Sequence, residues 1–280
     1  MNSMQTSRAG LPIKGKMTVL RACTVVILVL MITASVAGVL FSHLVYPADD
    51  LRRMFLPNDV VNLCIELPFM LVSLLLIWQS KLTGLLALPG ALLSVLYNYL
   101  VYVLAMPIGI AFGVHLALVF LSTCALVSLI AHIDASAVRQ RLLRSVPERA
   151  TGAVLTGLGA LIFFRASGIL LRGIAHQTPI ARTEFALNVA DSLVAPLWIT
   201  GGVLLFLRRA FGYVAAIGLF FQASILFIAL AALLPLQSLL TGGPPRLADA
   251  VVMLVMGSVC FTPIIFFLRG AESRQSSNDL

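Results

Sequence analysis

The feature that most constrains this chain is a series of apolar runs, each about 20 residues long, separated by short polar or Pro/Gly breaks. Hydrocarbon about 30 Å thick is crossed by a helix of about 20 residues, so runs of this length predict membrane spans. About eight are present, at roughly 19–41, 59–79, 82–105, 107–132, 151–172, 184–207, 211–235 and 247–268. Composition agrees, because 60% of the residues are hydrophobic and only 11% are charged, whereas soluble domains carry about a quarter charged residues. No soluble core could hide that much apolar side chain. The expected fold is an all-α integral membrane protein of about eight transmembrane helices. Its third and fourth helices are split only by Ala105-Met106-Pro107, a turn signal because proline disfavours helix in the residue before it.

The net charge of +8 and pI near 9.9 could suggest nucleic acid, but the basic residues sit in short gaps between apolar runs rather than on one folded face. No nucleic-acid partner is expected. Orientation explains the charge better. With a cytoplasmic start, thirteen of the 19 Lys and Arg residues fall inside: Arg8, Lys14, Lys16, Arg21, Lys81, Arg139, Arg141, Arg144, Arg149, Arg208, Arg209, Arg269 and Arg274. Five fall outside, at Arg52, Arg53, Arg172, Arg182 and Arg246, and Arg165 lies within a helix. The bias predicts both termini in the cytoplasm, an even number of spans and a cell (inner) membrane location. Ser35-Val36-Ala37 resembles a signal-peptidase site, but the first apolar run is long for a signal core and continues past Ala37, so a retained helix is expected.

Shifting the chain against itself by about 128 residues superposes Pro68 on Pro196, Gly84 on Gly212 and Gly90 on Gly218. Four helices per unit would make the halves parallel repeats about an axis along the membrane normal. The predicted organisation is a first four-helix unit over 1–132, a basic cytoplasmic connector over 133–150, a second unit over 151–268 and a polar cytoplasmic tail over 269–280. The plainer reading is that Gly and Pro, common in membrane helices, align by chance.

Polar residues inside the spans carry the most information, since each must face a partner or a water-filled cavity. In the second helix Asp59, Asn62 and Glu66 recur at i, i+3 and i+7, with Ser73 further along the same face. In the sixth, Glu184, Asn188 and Asp191 recur at i, i+4 and i+7. Each stripe ends ahead of a proline, Pro68 or Pro196, which frees a backbone carbonyl and predicts a kink. Ser94, Asn98 and Tyr102 share a face of the third helix, while His115 and Arg165 lie about two turns below the outer ends of the fourth and fifth. At about 1.5 Å per residue, Glu66, Asn98, His115, Arg165 and Asp191 all sit roughly 10–12 Å below the external surface. The candidate cavity set is therefore Asn62, Glu66, Asn98, Tyr102, His115, Arg165, Asn188 and Asp191, with Arg165 paired to Asp191 or Glu66 because an unpaired guanidinium at that depth is costly.

Plainer readings compete at each position. Arg165–Asp191 serves equally as a structural bridge; Asp59 and Glu184 as solvated helix starts; His115 as a packing residue; and Asn62, Asn98 and Asn188 as interhelical hydrogen bonds. Tyr97, Tyr99 and Tyr102 fit interfacial anchors. The pairs Ala34/Gly38 and Ala153/Gly157 predict close helix approaches. Cys23, Cys64, Cys124 and Cys260 lie far apart inside apolar runs and read as small core side chains. No HExxH, GxSxG, Walker, GxGxxG or zinc spacing occurs, and only His115 is well inside a span, which disfavours bis-histidine haem. No metal or cofactor is expected.

The stretches LYNYLVYVLA (96–105) and DSLVAPLWITGGVLLFLRRAFGYV (191–214) resemble segments of an uncharacterised family of prokaryotic multi-pass membrane proteins. The resemblance runs from the second helix to the seventh and rests on Asp191, Pro196, Arg208-Arg209 and Gly212-Tyr213. It implies a similar helix count and no activity. Three functions stay open: a small-solute or ion permease, which the eight-helix layout favours; a membrane-embedded enzyme acting on a lipid or lipid-linked substrate at the outer leaflet; and a structural or regulatory subunit of a membrane complex. The expected partners are the lipid bilayer and a small-molecule or ion ligand, and a homo-oligomer is compatible with all three.

Overall fold

The computed structural model describes residues 12–13, 18–143, 146–244 and 246–276, with side chains through 267. Eight stretches are helices long and apolar enough to cross a membrane. The first is α1 (Thr18–Leu40); a short α2 (Ser42–Val45) leads to the second, which joins α3 (Asp49–Val61), a wide π turn (Asn62–Glu66) and α4 (Leu67–Trp78). Next come α5 (Leu82–Ala105), α6 (Ile110–His132), the short α7 (Ala135–Leu142), α8 (Glu148–Ala175), α9 (Arg182–Phe206), α10 (Ala210–Thr241) and α11 (Leu247–Ser276). The chain is an all-α multi-pass membrane protein. One end of the bundle carries Tyr46 and the α5–α6 turn; the other carries Arg208 and α7. We refer to these as the Tyr46 end and the Arg208 end.

Counting apolar runs finds hydrocarbon-length segments but not helix ends. The second span begins at Asp49 rather than 59, because Asp49 and Asp50 sit in its first turn, where the exposed N–H groups favour negative charge, and Asp49 pairs with Arg52 at 2.5 Å. The fourth begins at Ile110, not 107, because the backbone stays extended at Gly109, its N-cap, while Pro107 keeps Met106 extended and so ends the third. The seventh runs on to Thr241 and stops at Gly242, whose left-handed φ of 68° suits a residue without Cβ. Within the predicted connector, α7 starts at Asp134, whose carboxylate accepts from the amides of Ser136 (3.0 Å) and Ala137 (3.2 Å).

α5 and the first half of α10 form the centre and are mostly buried, whereas the other spans turn large apolar side chains outward, as a lipid-facing belt requires. The central pair crosses at Gly90 and Gly218. A Cβ on Gly90 would strike the Gly218 carbonyl oxygen and lie 2.8 Å from the Phe221 Cβ, and one on Gly218 would lie 3.2 Å from the Pro89 Cβ. Backbone is in the way, so Gly90→Ala must separate the helices. It is expected to lower unfolding stability by about 1–3 kcal/mol, read by denaturant titration in detergent, while an alanine at the open Gly168 changes little.

The turns that enter α5 and α10 are built alike. Ser80 and Arg208 both adopt φ 57°, the Lys81 amide bonds the Leu76 carbonyl at 2.9 Å, and the Arg209 amide bonds the Leu204 carbonyl at 2.9 Å. Gly84 and Gly212 then lie against the ends of α4 and α9 respectively. These are the positions that the offset of about 128 residues aligns.

Two small-residue expectations change. Gly38 does bring α1 close to α3, but a Cβ on Gly157 would meet nothing within 4 Å; α8 instead approaches α9 through Gly152 and Gly202. Of the cysteines, only Cys260 is a core side chain, and Cys64 and Cys124 are exposed on the outside of the bundle.

Candidate functional site

The site begins with α5, where Ser94, Asn98 and Tyr102 follow at four-residue intervals and so share one face, while Tyr97 points elsewhere on the same helix. The first face meets α3 and the π turn. Asn98 Nδ2 donates to Asn62 Oδ1 (2.7 Å) and Glu66 Oε2 (3.3 Å), and Ser94 Oγ donates to Glu66 Oε1 (3.1 Å). Asn58 Nδ2 donates to Asn98 Oδ1 (2.8 Å) and to the Tyr102 hydroxyl (3.0 Å), which itself donates to Asp59 Oδ1 (2.9 Å). The Tyr46 hydroxyl donates to Asp59 Oδ2. Burial first, and the Asp59 charge second, hold that phenol well above its ordinary range, so it remains a donor. α1 closes the cluster: Asn62 Nδ2 reaches Ser35 Oγ (3.5 Å), and a side chain at Gly38 would collide with the Asp59 carboxyl.

The wide turn has a local cause. Pro68 has no N–H for the carbonyl four residues before it, and its ring crowds that carbonyl; widening the preceding turn over Asn62–Glu66 relieves both. The result places Asn62 and Glu66, separated by four residues, toward the same partner on α5. Pro196 produces no such turn, since α9 runs through it as α-helix.

The second face of α5 meets α9, and α8 reaches the same carboxylate from the far side of α9. The Tyr97 hydroxyl donates to Asp191 Oδ1 (2.7 Å), and Arg165 Nη2 donates to Asp191 Oδ2 (2.7 Å). Of the two partners expected for Arg165, Asp191 is the one it meets. Trp198 Nε1 donates to Gln222 Oε1 (2.5 Å) nearby, and Tyr97, Asp191, Trp198 and Gln222 border one small void.

Seven of the eight candidate residues thus gather in two clusters on different faces of α5. Asn62, Glu66, Asn98 and Tyr102 form one; Arg165 and Asp191 belong to the other. His115 stacks on the first, with its ring 4.7 Å from that of Tyr102 and 5.5 Å from that of Tyr99. Among the described residues Asn188 joins neither cluster: its Nδ2 donates to the Glu184 carbonyl at 2.7 Å within its helix. Sequence reasoning missed Asn58, Ser35, Tyr46 and Gln222. Asn58 directly precedes the recognised stripe and was the most accessible of these; Tyr46 lies outside any apolar run. Tyr97, Tyr99 and Tyr102 are buried rather than interfacial, because α5 is central and has no lipid-facing side at that level.

The electrostatics divide the carboxylates. Asp191 has a guanidinium partner, whereas Asp59 (1% exposed) and Glu66 (7% exposed) form no ion pair among the described residues and are held by hydroxyl and amide groups alone. Compared with protein-family models, curated proteins and solved structures, the chain matches none.

Proposed function

We propose that the protein is a small-solute or ion permease in which Asp59 and Glu66 take up a proton or a small cation from the Tyr46 end. One observation carries this reading: two buried carboxylates on a single span have only neutral partners, and the inner one sits on a π turn. A buried carboxylate without a counter-ion is costly to keep charged, so such a group invites a proton or a cation. Glu66 lies seven residues, about 10 Å, deeper than Asp59, and the bonds through Tyr102, Asn58 and Asn98 connect them. That chain of donors and acceptors is the kind of path along which a proton or a partly dehydrated ion is passed. The π turn supplies a place where helix register can change at small cost.

The charge bias orients the Tyr46 end outward, and the similar turns at Ser80 and Arg208 support a tandem arrangement of two four-helix units. The enzyme reading has less support, because Arg165, a cation within the spans that could hold a phosphate, is engaged by Asp191, and His115 meets aromatic rings rather than a carboxylate. A purely structural role would leave the polar groups satisfied, yet His115 Nδ1, Asn188 Oδ1 and Gln222 Nε2 are buried without partners.

The test is flux in proteoliposomes of purified protein, scanning protons, sodium, potassium and ammonium under a gradient, beside melting curves in the same ions. Protein-dependent flux of at least one of them is expected. Vesicles indistinguishable from protein-free ones across the whole scan, with unshifted melting, overturn the proposal.

A further inference from the structure

At the Tyr46 end, separated from the first polar cluster by the His115 ring, a groove of about 550 Å³ lies between α1 and α6. Small side chains at Ala34 and Ala37 open its α1 wall; Val114 and His115 form the α6 wall; and Leu44 and Ile110 border its mouth. The volume falls within the range of small-molecule sites, about 300–1,000 Å³. Ile108 beside the mouth is 91% exposed, so the groove opens among apolar side chains suited to lipid rather than water.

Two independent features supply polar recognition. His115 is 2% exposed, lines the groove, and has a buried ring nitrogen, Nδ1, that no group among the described residues bonds. An imidazole unsatisfied in an apolar wall is a costly arrangement that a ligand oxygen would relieve by drawing the ring into a hydrogen bond. The second feature is the start of α6. Its N-cap is Gly109, which has no side chain with which to cap, and Gly109, Ile110, Ala111 and Phe112 all border the groove, so the first-turn amides stand beside it without a side-chain acceptor. Such amides, reinforced by the dipole of a 23-residue helix, favour an anionic oxygen. His115 lies five residues, about 7 Å, below Ile110. A glycerol backbone sets a phosphate and an acyl ester apart by a similar length.

We infer that this groove binds one phosphate-bearing acyl lipid, with its phosphate at the first turn of α6, its ester or glycerol oxygen at His115, and one acyl chain between α1 and α6. The site goes beyond the permease reading and does not depend on it. It is nevertheless close to the proposed ion path, because the His115 ring lies on Tyr102, whose hydroxyl holds Asp59. An occupied groove would fix that ring and with it one donor to the outer carboxylate.

The experiment uses the full chain, delipidated in a non-ionic detergent, with 1-palmitoyl lysophosphatidylglycerol as the probe and native mass spectrometry and thermal melting as readouts. Saturable binding of one lipid is expected, with a raised melting temperature. His115→Phe keeps the ring and is expected to weaken binding about tenfold, the loss of one hydrogen bond. Ala111→Trp, which fills the groove, is expected to abolish binding, and Phe120→Trp on the outward face of α6 to leave it unchanged. Non-saturable binding, an equal shift with inorganic phosphate alone, or wild-type affinity in His115→Phe overturns the inference. So does wild-type affinity in a folded Ala111→Trp.

Discussion

Glu66→Gln is expected to abolish the ion flux of reconstituted protein while leaving its melting temperature within about 2 °C of wild type. The two halves of this outcome come from the same hydrogen bonds. Glu66 accepts from Ser94 Oγ and from Asn98 Nδ2. A glutamine can keep the Asn98 bond through its carbonyl oxygen, and its amide nitrogen can donate to Ser94, whose hydroxyl turns to accept. Both contacts to Glu66 are kept, and a side chain that cannot ionise is no harder to bury. The loss is confined to the ability to take and release a proton or to oppose a cation. Asp59→Asn makes a useful contrast. There both carboxylate oxygens accept from phenols, Tyr46 and Tyr102, so the asparagine NH₂ faces a donor and the variant is expected to lose about 1–2 kcal/mol as well as flux. Flux at the wild-type rate in a folded Glu66→Gln protein would reduce Glu66 to a hydrogen-bonding residue and remove the basis of the permease reading.

How far the sequence revealed this arrangement depends on what each residue's position is determined by. The spans were legible because hydrocarbon thickness imposes run length directly, and Asp59, Asn62 and Glu66 were legible because one helix fixes their common face. Their partners on α5 could be grouped by face but not matched, since matching requires the rotation of one helix against another. That rotation is set here by close contacts such as Gly38 against Asp59 and Gly90 against Gly218, which no single segment displays. The placement of Asp191 and Glu66 at one depth was readable, yet depth alone could not show that α5 stands between them and divides the polar residues into two clusters. Tyr46 lay beyond reach for another reason: it folds onto Asp59 from a connection with no periodicity of its own. The proline signals were read as equivalent and are not. Pro68 follows a π turn and Pro196 sits in continuous helix, so the missing proline N–H permits a wide turn without imposing one.

The second large effect is expected at the other cluster. Arg165→Leu leaves the Asp191 carboxylate, 7% exposed, with Tyr97 as its remaining donor. Breaking a buried pair by removing one member costs about 3–5 kcal/mol, because the surviving charge has neither water nor counter-ion. The lower end applies here, since the Arg165 side chain is 52% exposed and gives up less on being lost. Denaturant titration in detergent should therefore show a drop of about 3 kcal/mol. Adding Asp191→Asn removes the stranded charge and keeps an acceptor for the Tyr97 hydroxyl, so the double variant is expected to regain most of the loss. Strict additivity of the two substitutions would mean that the 2.7 Å contact contributes nothing to stability. The same neutral double variant also separates the roles of the clusters. If ions pass only along Asp59 and Glu66, it transports normally once folded. If its flux falls with that of Glu66→Gln, Asp191 shares the path, and α5 is the wall between two halves of one route rather than the boundary of a single site.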